Sequence, residues 1–152
     1  MLINILNKQK LLKIDSDEVA YCVKKVLEEE NIKTDEIFIH LVSKAKIKKL
    51  HKDFFNDDTI TDCITFPIDK PNKTKILQHT LGEVFICPHV AIEEARKRNI
   101  SPYVEFFLYL IHTLLHLAGY KDFLEKDKKV MRKKEKRCMN LIKDKILKKF
   151  EK

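Results

Sequence analysis

Apolar residues recur along the chain with two alternating periods, and this alternation predicts the secondary structure. Residues 2–6 and 36–42 form the short apolar runs that are typical of strands. Between them, apolar positions at helical spacing predict a helix over about 15–29, with Asp15 and Glu18 in a capping-box-like start. The inner face of this helix consists of Val19, Cys22, Val23, Val26 and Leu27.

The alternation continues along the rest of the chain. It predicts a helix over 44–54, strands over 63–66 and 82–87, helices over 89–98 and 102–118, and an amphipathic C-terminal helix within 126–147. Pro88 and Pro102 suit the first turns of the two central helices. We therefore expect an α+β fold, in which a small mixed sheet of about four strands packs with about five helices. No linker or repeat divides residues 1–152, so we expect a single domain.

The most apolar segment runs from Tyr103 to Ala118 and is interrupted mainly by Glu105, Thr113 and two histidines. As a helix it would extend only about 24 Å, which is shorter than the bilayer core of about 30 Å. Its polar residues would also make membrane insertion costly. The segment therefore predicts a buried central helix and no membrane association.

Candidate chemistry lies at the end of this helix. His112 and His116 are four residues apart, so their imidazoles point the same way and can bind one metal ion. Gly119 suits the turn that ends the helix, beyond which Asp122 can return as a third ligand. The pattern His-x3-His-x2-Gly-x2-Asp predicts a zinc-metallohydrolase-like centre with one open position.

Charge and cysteine content add two expectations. Residues 1–120 contain 17 Lys+Arg and 17 Asp+Glu, whereas residues 121–152 contain 14 and 6, so the net charge of +8 lies at the C-terminal end. A basic helix face there favours a polyanion such as RNA about as strongly as it favours a merely solvated surface. The four cysteines form no CxxC pair, and no signal peptide is visible, so we expect reduced thiols in a cytoplasmic protein.

Three blocks of the sequence resemble the YbeY family of bacterial endoribonucleases, also called rRNA maturation factors. Residues 61–67 read TDCITFP, residues 81–86 read LGEVFI, and residues 112–122 read HTLLHLAGYKD. The family patterns are Thr-Asp-Val-Leu-Ser-Phe-Pro, Leu-Gly-Asp-Ile and His-Gly-x-Leu-His-Leu-x-Gly-Tyr-Asp-His. Order, spacing and total length agree, so the resemblance covers nearly the whole chain.

The resemblance implies a zinc-dependent, single-strand-specific RNA hydrolase. Such an enzyme would act in ribosomal RNA maturation, notably at the 3′ end of the small-subunit RNA, and in ribosome quality control. The three zinc-binding histidines of the family fall on His112, His116 and Asp122, which implies one Zn²⁺ per chain. RNA and the ribosome are the implied partners, and the oligomeric state stays open.

The chain departs from the family pattern in its third ligand and in one arginine. Asp122 stands where the family has histidine, and its negative charge should weaken the metal as a Lewis acid. Phe55 stands where the family has an important arginine, so the expected guanidinium is missing. Lys52 or Lys121 could supply a positive charge to RNA instead, although neither has the planar fork of arginine.

The general base is not evident from the sequence. Thr113 occupies the position at which HExxH proteases have their glutamate, which argues against a zinc protease. Glu83 and Asp62 are candidate acid or base groups, although each also has an ordinary structural interpretation.

Two questions stay open at this point. His79 or His89 could replace Asp122 as the third ligand. The alternatives to the endoribonuclease are a ribosome- or RNA-associated metal-binding factor with weakened catalysis and, less favoured, a zinc protease.

Overall fold

The computed structural model describes residues 1–73 and 77–151. Strands and helices alternate through the first half, and helices complete the chain. The strands are β1 (Leu2–Asn7), β2 (Glu36–Leu41), β3 (Cys63–Pro67) and β4 (Thr80–Ile86). The helices are α1 (Ser16–Glu29), α2 (Lys44–Phe55), α3 (Pro88–Arg98), α4 (Pro102–Leu117) and α5 (Glu125–Leu141), followed by a π turn (Lys143–Leu147) and a 3₁₀ turn (Lys148–Phe150).

The four strands form one mixed sheet in the order β1-β2-β4-β3. β1, β2 and β4 are parallel, and β3 pairs antiparallel with β4 at one edge. Leu81, Val84 and Ile86 of β4 face the main hydrophobic core, and the irregular register between Thr80 and Glu83 breaks the strict alternation after Leu81. Phe85 belongs to a smaller apolar cluster that includes Ile47 of α2. The sheet therefore separates a helical layer that contains α4 from a second layer that contains α2.

Helix α4 is the centre of the helical layer and packs against α1, α3, α5, β3 and β4. Its inner residues, including Leu110 and Leu114, are fully buried. A close approach to the sheet is possible because Gly82 has no side chain. A Cβ at Gly82 would lie 2.5 Å from Leu117 Cδ2 and 2.7 Å from the Phe66 carbonyl oxygen. The absence of a side chain at Gly82 thus allows the C-terminal end of α4 to pack closely against β3 and β4.

The predicted α+β class, mixed four-stranded sheet and buried His-x3-His helix are confirmed. Pro88 and Pro102 begin their helices as predicted. Two details differ. Asp15 caps α1 by accepting from the Asp17 amide, while Glu18 pairs with Lys149 instead of completing a capping box. The C-terminal helix ends at Leu141 and gives way to the π turn, because apolar Ile142, Ile146 and Leu147 must all reach the core.

Within residues 1–73 and 77–151, no helix combines the length and the apolar character needed to cross a bilayer. Helix α4 is the most apolar helix, and its side chains are used inside the protein, where they pack on the sheet and on neighbouring helices.

Candidate metal centre

The end of α4 places its two histidines beside a returning loop. Helix α4 begins with Ser101 as its N-cap and ends at Leu117, so His112 and His116 lie on its last turns. Gly119 follows with a φ of 108°, a conformation that favours glycine, and its amide donates to the His116 carbonyl. The Tyr120 amide donates to the Leu115 carbonyl, which folds the chain back so that Asp122 reaches both imidazoles.

The three predicted ligands meet at one point. The Nε2 atoms of His112 and His116 are 3.0 Å apart. Asp122 Oδ2 lies 3.5 Å from His112 Nε2 and 3.4 Å from His116 Nε2. Ligands at 2.0–2.2 Å from a tetrahedral zinc ion are about 3.3–3.6 Å from one another. The three separations are therefore close to one face of a tetrahedral zinc site.

The other nitrogen of each ring has an acceptor of its own. His116 Nδ1 donates to the Tyr120 carbonyl oxygen at 2.9 Å, and His112 Nδ1 donates to Glu135 Oε2 of α5 at 2.7 Å. These bonds put the proton of each neutral ring on Nδ1 and leave the lone pair on Nε2. Two lone pairs and a carboxylate oxygen then face one another, an arrangement that repels itself unless a cation lies between them.

The pKa of His112 reflects the negative charges that surround it. Burial alone would lower the pKa of His112, but the hydrogen bond and charge of Glu135 outweigh it, and Asp122 and Asp62 add to the effect. The net result is a raised pKa. The centre therefore attracts positive charge, either as a proton on His112 or as a metal ion.

The donor set fits zinc. Two imidazole nitrogens and one carboxylate oxygen are ligands that zinc accepts readily, and three protein ligands leave a fourth position for water or substrate. Each histidine is also oriented by a hydrogen bond from its second nitrogen, as metal-binding histidines commonly are. The side chains are only partly covered, with exposed fractions of 26% for His112 and 44% for Asp122, so the centre is accessible.

The centre opens into a cleft of about 660 Å³ between α4, the loop after it, β3 and α2. Polar residues at the cleft include Asp62, Lys121 and the three ligand residues. Phe55 and Phe123, with exposed fractions of 53% and 85%, also line it. Phe55 is oriented by ring contacts with His51 and Phe66 at 5.8 and 6.1 Å between centroids. The cleft thus offers charge near the metal centre and exposed aromatic rings.

The structure distributes the other predicted site residues over two faces of the sheet. Asp62 immediately precedes β3, accepts from the Cys63 thiol at 3.3 Å and lines the cleft. Glu83 lies on β4 on the same face as Phe85, and its carboxylate contacts His40 Nε2 at 3.1 Å. Lys121 lines the cleft, whereas Lys52 is exposed on α2 and outside the cleft lining.

Sequence reasoning missed Glu135, which orients His112 from α5. The sequence signal for Glu135 is weak, because one glutamate within a lysine-rich helix resembles an ordinary surface residue.

Sequence reasoning also missed a second cavity of about 450 Å³, which shares Asp62, Cys63 and His112 with the cleft. Glu105 is 1% exposed there and binds Arg98 Nη1 at 2.7 Å through Oε1.

His79 and His89, the alternative third ligands suggested by the sequence, contact residues away from the metal centre. His79 lies at the far end of β4, where its ring contacts the Thr34 hydroxyl at 2.8 Å and the Lys70 carbonyl oxygen at 2.8 Å. His89 lies 3.9 Å from Glu93 on α3. Within residues 1–73 and 77–151, the group of potential ligands that converges closely enough for a metal is His112, His116 and Asp122.

An α+β fold with a partly open group of three potential metal ligands at the end of a buried helix is an arrangement typical of metal-dependent hydrolases. Comparison with known proteins then specifies the family. The profile of the family described as Endoribonuclease YbeY matches residues 4–143. The chain therefore belongs to the endoribonuclease YbeY family, as the sequence motifs predicted.

Individual relatives agree with this assignment. The chain is similar to endoribonuclease YbeY of Protochlamydia amoebophila, with 45% identity over 94% of each chain. It is 36% identical to endoribonuclease YbeY of Chlamydia muridarum over 86% of this chain and 81% of that one. A solution structure of a Thermotoga maritima protein matches with a TM-score of 0.65 and 29% identity, covering 93% of this chain and 89% of the other.

Proposed function

We propose that this chain is a metal-dependent endoribonuclease that acts in ribosomal RNA processing. Membership of the endoribonuclease YbeY family supports the reaction and the RNA substrate. The observation that carries the metal dependence is the convergence of His112 Nε2, His116 Nε2 and Asp122 Oδ2 within 3.5 Å of one another, with both Nδ1 atoms bonded elsewhere.

His112, His116 and Asp122 would hold one Zn²⁺ per chain. When bound, zinc supplies Lewis acidity that favours attack on a phosphodiester. The protein residues contribute position: Glu135 and the Tyr120 carbonyl fix the ring planes, and the turn at Gly119 sets the reach of Asp122. Because Asp122 brings a negative charge, we expect the centre to be a weaker Lewis acid than one with three histidines.

We propose Asp62 as the general acid or general base of the reaction. It lines both cavities that meet at His112, so a substrate in either cavity comes close to its carboxylate. Glu83 was the other candidate from the sequence, and its carboxylate is paired with His40 on the face of the sheet that carries Phe85. A direct role for Glu83 remains a prediction, with weaker geometric support than that of Asp62.

The cleft suits unpaired RNA. Lys121 lies beside the ligand Asp122 and can contact a phosphate, and Lys52 on α2 can contact the strand farther out. The exposed rings of Phe55 and Phe123 line the same cleft and can stack on bases that have no pairing partner. These rings favour a single-stranded substrate.

The finer biological assignment rests on the family resemblance. We propose that the RNA is ribosomal, that its cut site is at the 3′ end of the small-subunit RNA, and that the protein also serves ribosome quality control as a single domain in the cytoplasm. The four free cysteines agree with a reducing compartment.

A second candidate function has one specific observation in its favour. Phe55 lies in the cleft, where the family pattern has an arginine, so the described lining of the cleft lacks a guanidinium. An RNA-associated factor with weakened catalysis would fit this difference. A protease fits less well, because Thr113 is fully buried and its hydroxyl donates to the Leu110 carbonyl at 2.6 Å.

The decisive experiment is cleavage of a single-stranded RNA by the zinc-loaded protein, with a duplex of the same sequence as the control. We expect cutting of the single strand that a chelator abolishes and added zinc restores. His116→Ala should remove the activity while the circular dichroism spectrum stays native. Intact RNA after prolonged incubation with zinc-loaded wild-type protein would exclude the nuclease, and RNA binding without cleavage would support the second candidate.

A further inference from the structure

The outer face of α5 carries a concentration of exposed basic side chains. Lys129, Arg132, Lys133 and Lys136 are all exposed, and none forms an ion pair with any described residue. We call these four residues the basic rail. Their spacing of three, four and seven residues places them along one side of the helix.

Neighbouring cations on the same helix behave differently. Lys134 pairs with Glu30 at 3.3 Å and Arg137 with Glu29 at 3.0 Å, and both pairs tie α5 to α1. Some basic residues of α5 are therefore neutralised by ion pairs with acidic residues of a neighbouring element, whereas those of the basic rail have no such pair within the described part of the chain. Like charges three and four residues apart oppose helix formation, so the basic rail works against stability. An anionic ligand bound along this face would relieve the repulsion.

The basic rail lies on the same helix as Glu135, the residue of α5 that contacts the metal centre. Glu135, whose Oε2 accepts from His112 Nδ1 at 2.7 Å, follows Arg132 by three residues and precedes Lys136 directly. A groove of about 580 Å³ continues from the basic rail, and its charged lining residues are Lys133, Lys136, Arg137, Lys143 and the acidic Glu151. A polyanion held here would run along the helix that also orients a metal ligand.

We propose that the basic rail is an RNA-binding surface that holds the phosphate backbone of a strand outside the catalytic cleft. Lys129 and Lys136 are separated by about 10 Å along the helix, so the basic rail is long enough to contact successive phosphates of one strand. Charge complementarity selects the occupant, because the remaining 120 residues are electrically balanced and all the excess charge lies after residue 120. This proposal rests on the proposed endoribonuclease function and adds a second contact region to it.

The test compares two triple variants with the same net charge. One variant is Lys129→Gln, Lys133→Gln and Lys136→Gln. The matched control is Lys8→Gln, Lys10→Gln and Lys13→Gln, which removes three exposed lysines from the segment after β1. Binding of a long single-stranded oligonucleotide is measured against salt concentration, and hydrolysis of a dinucleotide, which is too short to reach the basic rail, is measured in parallel.

We expect the rail variant to bind the long RNA about 50-fold more weakly at 0.15 M salt, with a salt slope that is smaller by about 2, because each phosphate contact on a single strand contributes about 0.7. The control should bind as the wild type does. Both variants should hydrolyse the dinucleotide normally and melt at or above the wild-type temperature.

Equal losses in the two variants, or no loss in either, would overturn the proposal, as would polyglutamate binding to the basic rail as tightly as RNA does. A wild-type protein that binds long RNA with this rail dependence but cleaves neither the long RNA nor the dinucleotide would refute the proposed nuclease function and leave the basic rail supported.

Discussion

Glu135 offers the sharpest test of how the metal centre is built. Its carboxylate accepts from His112 Nδ1 at 2.7 Å, its side chain is only 15% exposed, and it contributes to the raised pKa of His112. Glu135→Gln keeps the size and a hydrogen-bonding oxygen but removes the charge. Mutation of a residue that hydrogen-bonds to a metal-binding histidine typically lowers metal affinity by about 10- to 100-fold, or about 1.4–2.8 kcal/mol.

The assay is a zinc titration against a chromophoric chelator, which gives the dissociation constant directly. Glu125→Gln is the matched control, because Glu125 is on the same helix, is 79% exposed and pairs with the neighbouring Lys128. We expect Glu135→Gln to weaken zinc binding at least tenfold and Glu125→Gln to leave it unchanged. Equal affinities of Glu135→Gln and the wild type would refute the idea that Glu135 supports the centre.

Three further predictions concern pH, packing and substrate binding. Protons compete with zinc for His112, whose pKa is raised above the ordinary value of 6.5. On lowering the pH, zinc affinity should therefore start to decrease before pH 6.5 is reached; a decrease that starts only below pH 6.5 would contradict this. Gly82→Ala should cost about 1–3 kcal/mol in urea unfolding, because the new methyl group meets the Phe66 carbonyl; an unchanged midpoint would disprove the close approach. Phe55→Ala should raise KM for single-stranded RNA about fivefold, whereas Phe54→Ala, outside the cleft, should not, and an abasic substrate should remove the difference.

The fold followed closely from local sequence patterns. The strand and helix positions were predicted because each apolar period is long enough to be unambiguous and because prolines and Gly119 mark helix ends. The end of α5 was not predicted, since three apolar residues after Leu141 continue the sequence pattern although the core requires a different backbone path. Sequence periodicity does not encode that tertiary requirement.

The candidate site was predicted as far as it is local in sequence. His112, His116 and Asp122 are within eleven residues, so helix geometry and one turn bring them together. Glu135 and Asp62 reach the same centre from α5 and β3, and their approach depends on how these elements pack. Glu83 was singled out from its motif, yet the alternation of β4 directs it to His40.

The central claim is that His112, His116 and Asp122 form one metal site. Elemental analysis of the purified protein beside His112→Ala tests it most directly. We expect about one divalent ion per chain in the wild type and none in the variant, with both proteins folded. A wild-type chain that takes up no divalent ion, or a His112→Ala variant that retains the full amount, would contradict it.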